Sequence, residues 1–282
     1  MHFMNNYSDE LELAKLQSDY AKALLAYTSG DYPLAFELFR EPALKGHAGA
    51  QKMLGIMYEY GEGVAADASL AIKWYFSAAN LGDAFSQNRV ARCYDDGVEI
   101  EQDLDEAKKW YLCAAQNGDS AAQFNLGYCY ENGELFEQDA AKAFEWYKKS
   151  AEQDFADAQL HLALCYLSGI GTSKNANEFF YWISLASVQQ LAEAAFYLAA
   201  AYENGFGTAQ DPYQAYVWYL KAAEGEFEPA YYPLAEIYEN GKGVKKNKEQ
   251  ALYWYRQALE AGDSEAQERI DVLTKKRFLW FK

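Results

Sequence analysis

Residues 50–82 read AQKMLGIMYEYGEGVAADASLAIKWYFSAANLG, and the marked residues of this stretch occur in six copies at one unbroken spacing of 36 positions. Trp74 recurs as Trp110, Trp146, Trp182, Trp218 and Trp254, and Tyr58 as Tyr94, Tyr130, Tyr166, Tyr202 and Tyr238. Gly61 returns as Gly97, Gly133, Gly169, Gly205 and Gly241. A fixed period of this length without insertions is the signature of a solenoid, in which each unit buries its apolar face against its neighbours.

Each copy predicts two helices. The first spans about 48–60 in the opening copy, with small or apolar Ala50, Leu54, Gly55 and Tyr58 on one helical face. The glycine that follows is the natural left-handed stop. After a loop, an N-cap residue recurs as Asp67, Asp103, Asp139, Asn175, Asp211 and Asn247. Glu106, Glu178, Gln214 and Gln250 stand three places further on, the capping-box spacing. The second helix carries Ala71, Trp74, Tyr75, Ala78 and Ala79, whose small residues allow close approach while the indole is expected to fill the space between pairs. The fourth copy departs most, with Phe179 at the Ala71 position, Ile183 at the Tyr75 position and Gln190 at the Gly82 position. A local packing change is expected there.

The repeat runs through most of the 282 residues, which predicts one elongated domain in three parts. Residues 1–47 form a degenerate opening helix pair, with helices over 9–28 and from Asp31 onward. Residues 48–263 hold the six repeats, and 264–282 supply a capping helix and the tail Phe278-Leu279-Trp280-Phe281. That tail either folds back as an apolar cap or docks onto a partner or a lipid surface, beside Lys275, Lys276 and Arg277.

The formal net charge is −17, of which the segment from Lys242 onward, with ten basic and six acidic residues, contributes +4 and residues 1–241 the remaining −21. Such a surface repels phosphate backbones, so nucleic acid is a poor partner and a basic protein or peptide a better one. No run approaches the roughly 18 apolar residues of a membrane span. The N-terminal MHFMNNYSDE lacks the basic and apolar regions of a secretory signal, which predicts a cytoplasmic protein. Cys93, Cys129 and Cys165 share one repeat position and are expected to be reduced and buried, while Cys113 stands apart. The cysteines form no CxxC pair, and His2, His47 and His161 are scattered, so no metal site, cofactor or catalytic constellation is predicted.

The pattern Leu54-Gly55, Tyr58, Gly61-Glu62-Gly63-Val64, Asp67, Ala71, Trp74-Tyr75, Ala78-Ala79 and Gly82 resembles the Sel1-like repeat family, relatives of tetratricopeptide repeats. Gly63 becomes Glu99 and Leu135 in the second and third copies, which leaves the loop conformation open there. The resemblance implies an all-α, right-handed superhelical solenoid of helix pairs that serves as a non-enzymatic protein-interaction scaffold. The family is also used in toxin immunity, so neutralisation of a basic bacterial effector is the alternative; a cell-wall hydrolase is a remote one.

By register with tetratricopeptide grooves, the first helices line a concave side. Their outward places predict apolar anchor sites at Phe124, Tyr128, Leu160, Leu164, Phe196 and Tyr232. Glu131, Glu203, Glu236 and Glu239 would select basic residues of the partner beside them, while Lys52, Arg89 and Arg92 form a basic spot at the N-terminal end. The competing reading is that these side chains only pack along the ridge between successive first helices.

Overall fold

The structure is a computed structural model that describes residues 2–275, with side chains from residue 12 onward. Among the described residues it contains fifteen α-helices, one short 3-10 helix and no strand. The tail Phe278–Phe281 lies outside them. Two compact units divide at Gln138 and Asp139, inside the third repeat.

The first unit holds α1 (His2–Thr28), α2 (Tyr32–Leu44), α3 (Ala48–Tyr60), α4 (Ala68–Asn80), α5 (Ala84–Asp96), α6 (Leu104–Gln116) and α7 (Ser120–Asn132). The second holds α8 (Ala140–Ala151), α9 (Ala156–Ser168), α10 (Ala176–Val188), α11 (Ala192–Asn204), α12 (Pro212–Glu224), α13 (Tyr231–Asn240), α14 (Lys248–Glu260) and α15 (Glu265–Thr274). Within each unit, consecutive helices pack on one another in sequence order. The opening helix is longer at its N-terminus than the pattern over 9–28 predicts. The first helix of the sixth repeat opens as a 3-10 turn, Glu228–Ala230, before α13. Pro229 and Pro233 each withhold a backbone donor there, which favours a short irregular start over a continuous helix.

The caps form at the predicted residues. Gly61 ends α3 at φ +72, and its N–H donates to the Met57 carbonyl. Asp67 starts α4 by accepting from Leu70 N at 2.9 Å. The capping box closes on one side only. The N-cap N–H is already committed to the preceding helix: Asp67 N donates to Tyr58 O at 2.9 Å and Asp103 N to Tyr94 O at 3.0 Å. Glu178 instead accepts from Trp182 Nε1 at 3.1 Å.

The loop glycine explains why the chain can close so tightly. A Cβ at Gly207 would stand 2.0 Å from the Ala176 carbonyl oxygen, at the start of the second helix of the preceding repeat. Glu99 and Leu135 nevertheless keep the same left-handed backbone, at φ 63 and φ 58. The question the sequence leaves open is thus settled for φ, and the side chains there require their loops to stand further from the preceding helix. Gln190 likewise keeps the conformation of the glycine it replaces, at φ 66, as do Asp154 and Glu226 at the equivalent positions.

In the Trp-Tyr pair the tyrosine, not the indole, is the core residue. Tyr75, Tyr111, Tyr147, Tyr219 and Tyr255 are all buried, whereas Trp74, Trp110, Trp146, Trp182, Trp218 and Trp254 are only half-buried. The tyrosine ring lies on the small residue of the first helix, so close that a Cβ on Gly55 would meet it at 2.6 Å. The half-buried indoles do lie between successive pairs: Trp110 meets Phe76 of the preceding repeat at 6.2 Å, and Trp218 packs against the clusters on both its sides.

Candidate functional site

The face of the first helices is organised by a hydrogen bond that repeats with the chain. The acid at the twelfth place of the first helix accepts from the hydroxyl of the buried tyrosine sixteen residues later. Glu59 accepts from Tyr75 at 2.6 Å, Asp95 from Tyr111 at 3.2 Å, Glu203 from Tyr219 at 3.0 Å and Glu239 from Tyr255 at 2.7 Å. Burial pushes all four tyrosines above the ordinary phenol range, reinforced by the paired carboxylate at Tyr111, Tyr219 and Tyr255, so the hydroxyl stays a donor. Basic side chains complete several pairs: Arg89 on Glu59, Arg269 on Glu239 and Lys242 on Glu203 at 3.5 Å.

This arrangement changes what the predicted acidic residues do. Glu203 and Glu239 act first as internal acceptors, and Glu236 alone of the predicted acids in the second unit is exposed. Glu131 is half-buried in the first unit. The basic residues of the first unit are drawn in the same way. Arg89 lies beside Glu59 and over the Tyr75 ring at 5.8 Å, Lys52 is 3.5 Å from Asp83, and Arg92 is exposed.

The apolar positions sort by depth. Tyr128 is 42 % exposed and Phe124 half-buried, both on α7. In the second unit Leu160 is only 5 % exposed and belongs to the core, with Leu164 packed against the same cluster. A buried side chain cannot anchor a partner without the helix moving, so Leu160 drops out as a surface contact. Phe196 is half-buried between Tyr219 at 5.7 Å and Phe227 at 5.3 Å, and Tyr232 lies 5.2 Å from Tyr255.

The fourth repeat breaks the acid–tyrosine pattern on both sides at once. Leu167 stands at the acid's place and Ile183 at the tyrosine's. A carboxylate without its donor, or a buried hydroxyl without its acceptor, is costly, whereas replacing both by apolar groups is close to neutral. Beside this pair the second unit has an apolar hollow of 220 Å³, lined by Leu167, Phe179, Tyr197, Ala200, Asn204 and Phe206. Sequence reasoning missed Tyr197 and Phe206. It singled out Ile183, and the signal lay in reading that column together with the one in which Leu167 replaces the acid.

All four cysteines are free thiols, Cys113 exposed, Cys93 half-buried and Cys129 and Cys165 buried. Among the described residues no cluster of three or more His, Cys, Asp or Glu could hold a metal ion, and no helix is long and apolar enough to cross a membrane.

Tandem helix pairs, the two helices of each joined by a glycine-stopped loop and, in four copies, by the acid–tyrosine bonds given above, define an all-α repeat solenoid with a variable first-helix face. The model of the Sel1 repeat matches residues 48–83, 84–119, 120–155, 156–187, 192–226 and 229–263, and the chain belongs to the Sel1 repeat family. Proteins of this family are generally protein-interaction scaffolds. Among solved structures the chain is similar to a protective antigen of uropathogenic Escherichia coli with an SLR fold, at 33% identity and a TM-score of 0.79. That likeness covers 96% of this chain and 59% of the antigen, so the chain spans about three fifths of its length. It is also similar to a Sel1 repeat protein of Oxalobacter formigenes, at 28% identity and a TM-score of 0.72, over 85% of this chain and 96% of the other. A search of curated proteins by sequence gave no match.

Proposed function

We propose that this protein is a non-enzymatic scaffold that binds a protein or peptide on its first-helix face, with the hollow around Ala200 taking an apolar anchor side chain. The observation that carries this reading is the paired replacement at Leu167 and Ile183 beside an apolar hollow on that face. A desolvated pocket of this kind is where a few anchor residues concentrate binding energy. Tyr128 in the first unit is a further contact, on its own exposure.

Charge selects the partner from a distance. Much of the predicted acidic rim is engaged internally, so preference for a basic partner comes from the summed field of a chain at −17 and not from free rim carboxylates. The −21 of residues 1–241 also favours a second reading, neutralisation of a basic effector, which predicts tight and strongly salt-dependent binding. Free thiols fit a reducing compartment such as the cytoplasm.

The test is affinity capture with the intact chain, Ala200→Glu, and Tyr253→Ala as a control at an exposed second-helix residue. Ala200→Glu loses the captured protein while keeping its helical circular dichroism and its melting midpoint. Equal capture by Ala200→Glu and the intact chain would refute the assignment.

A further inference from the structure

A second repeated feature, on a different set of residues, fills the junction between the end of one second helix and the start of the next first helix. The fourth residue of the first helix is a buried glutamine in four copies. Its amide donates to a carbonyl at the end of the preceding second helix: Gln51 to Ala43 at 2.9 Å, Gln87 to Ala79 at 3.0 Å, Gln123 to Ala115 at 3.0 Å and Gln159 to Ala151 at 3.3 Å. Its own oxygen accepts from an amide thirty residues on, Asn117 at 2.9 Å for Gln87 and Gln189 at 2.9 Å for Gln159. Where that later residue is Leu81, the Gln51 oxygen is buried without a partner. This carboxamide therefore occupies a place that both donates and accepts.

In the fifth repeat both members are missing. Ala195 replaces the glutamine and Gly225 replaces the second amide. A cavity of 560 Å³ lies there, lined by Ser187, Ala192, Ala195, Trp218, Lys221 and Glu224 among others. The sixth repeat fills the equivalent place differently, with Tyr231 against Trp254 at 5.6 Å. The carbonyl that a glutamine at 195 would satisfy belongs to Ser187 and holds only a long backbone bond from Gln190 N, at 3.3 Å. Lys221 Nζ sits 3.7 Å from the Trp218 ring centroid, and Glu224 shares the exposed mouth.

We propose that this cavity binds a glutamine side chain of a protein partner. The guest amide donates to the Ser187 carbonyl as the resident glutamines do in the sister repeats, and its methylenes lie on Trp218. The Ser187 carbonyl is an acceptor and so repels a carboxylate, while Lys221 and Glu224 together give the mouth no net charge to draw an ammonium, which leaves the neutral carboxamide preferred. The proposal shares only the premise of protein binding with the reading above, and its site does not include Ala200.

The test uses the intact chain carrying 5-fluorotryptophan, with the Trp218 resonance assigned through Trp218→Phe. N-acetyl-glutamine methylamide is the probe, and the glutamate and norvaline analogues are the comparisons. The glutamine probe is expected to shift the Trp218 resonance saturably, at least about ten-fold more tightly than either analogue. Ala195→Gln supplies the amide internally, so it abolishes the shift and raises the melting midpoint. Ala195→Leu fills the space without the amide and also abolishes the shift. Ala200→Glu leaves the shift unchanged, which separates this site from the first-helix hollow. No saturable shift, equal binding of the glutamine and glutamate probes, or retained binding by both Ala195 variants would each overturn the proposal.

Discussion

The amide pair of Gln87 and Asn117 offers a direct measure of what one repeat junction is worth. Gln87 is 5 % exposed and makes two bonds, one to the Ala79 carbonyl and one from Asn117 Nδ2. Truncation to alanine removes both, at about 1 kcal/mol each, and one buried methylene at about 0.8 kcal/mol, so Gln87→Ala should cost about 3 kcal/mol. Asn117 is exposed, and its amide can return to water. Asn117→Ala instead leaves the buried Gln87 oxygen without its donor and should cost about 2 kcal/mol. Because the two substitutions remove the same bond, a double-mutant cycle should show a coupling of about 1–2 kcal/mol. Urea unfolding followed by circular dichroism measures it, with unchanged m-values as the condition for comparison, since repeat chains need not unfold in one step. The first repeat is the internal control: Gln51 has its carbonyl bond but faces Leu81, so the Gln51→Ala and Leu81→Ala cycle should show no coupling. A coupling at 87 and 117 that is indistinguishable from the one at 51 and 81 would refute the shared-amide argument.

Three further expectations rest on other parts of the chain. Leu167→Glu alone puts a carboxylate beside the apolar hollow and should destabilise by about 2 kcal/mol. Adding Ile183→Tyr rebuilds the acid–tyrosine bond of the sister repeats and should recover at least half of it, as read by urea midpoints. His47 caps α3 by accepting from Ala50 N at 3.1 Å, and burial pushes its pKa below the ordinary imidazole value. A lowered folded value means the unfolded chain binds the extra proton first, so the cap's contribution is complete above about pH 6.5 and is lost as pH falls through the folded value. His47→Asn keeps a cap that does not titrate, so the melting difference between it and the parent should narrow or reverse on acidification; a constant difference would refute the role. Alkylation by iodoacetamide at mildly alkaline pH, followed by mass spectrometry, should label exposed Cys113 first and leave Cys129 intact, whose thiol burial pushes up to about 12.

The period, the helix pairs, the caps and the start at Asp31 of the second helix of the opening pair were all legible in the sequence, because each is set by local chemistry. A glycine at a left-handed stop and an aspartate at an N-cap carry their conformation with them. The half-closed capping box was not legible, since the N-cap N–H is taken by a carbonyl of another helix. Nor was the deeper burial of the tyrosine in the Trp-Tyr pair, because composition ranks the indole as the larger apolar group and says nothing of which ring lies on the small residue of the first helix.

The site divides the same way. The sequence by itself determined that this is an acidic all-α repeat protein and which helix positions vary between copies. Only the tertiary structure decided that Leu160 is core, that Glu203 and Glu239 are acceptors for buried hydroxyls, and that Ala195 and Gly225 leave one cavity between them. The physical reason is that a periodic pattern fixes the local environment one helix turn at a time. Hydrogen bonds and voids between residues 16 or 30 positions apart depend on side chains from different helices meeting, and no single column of the repeat contains both partners.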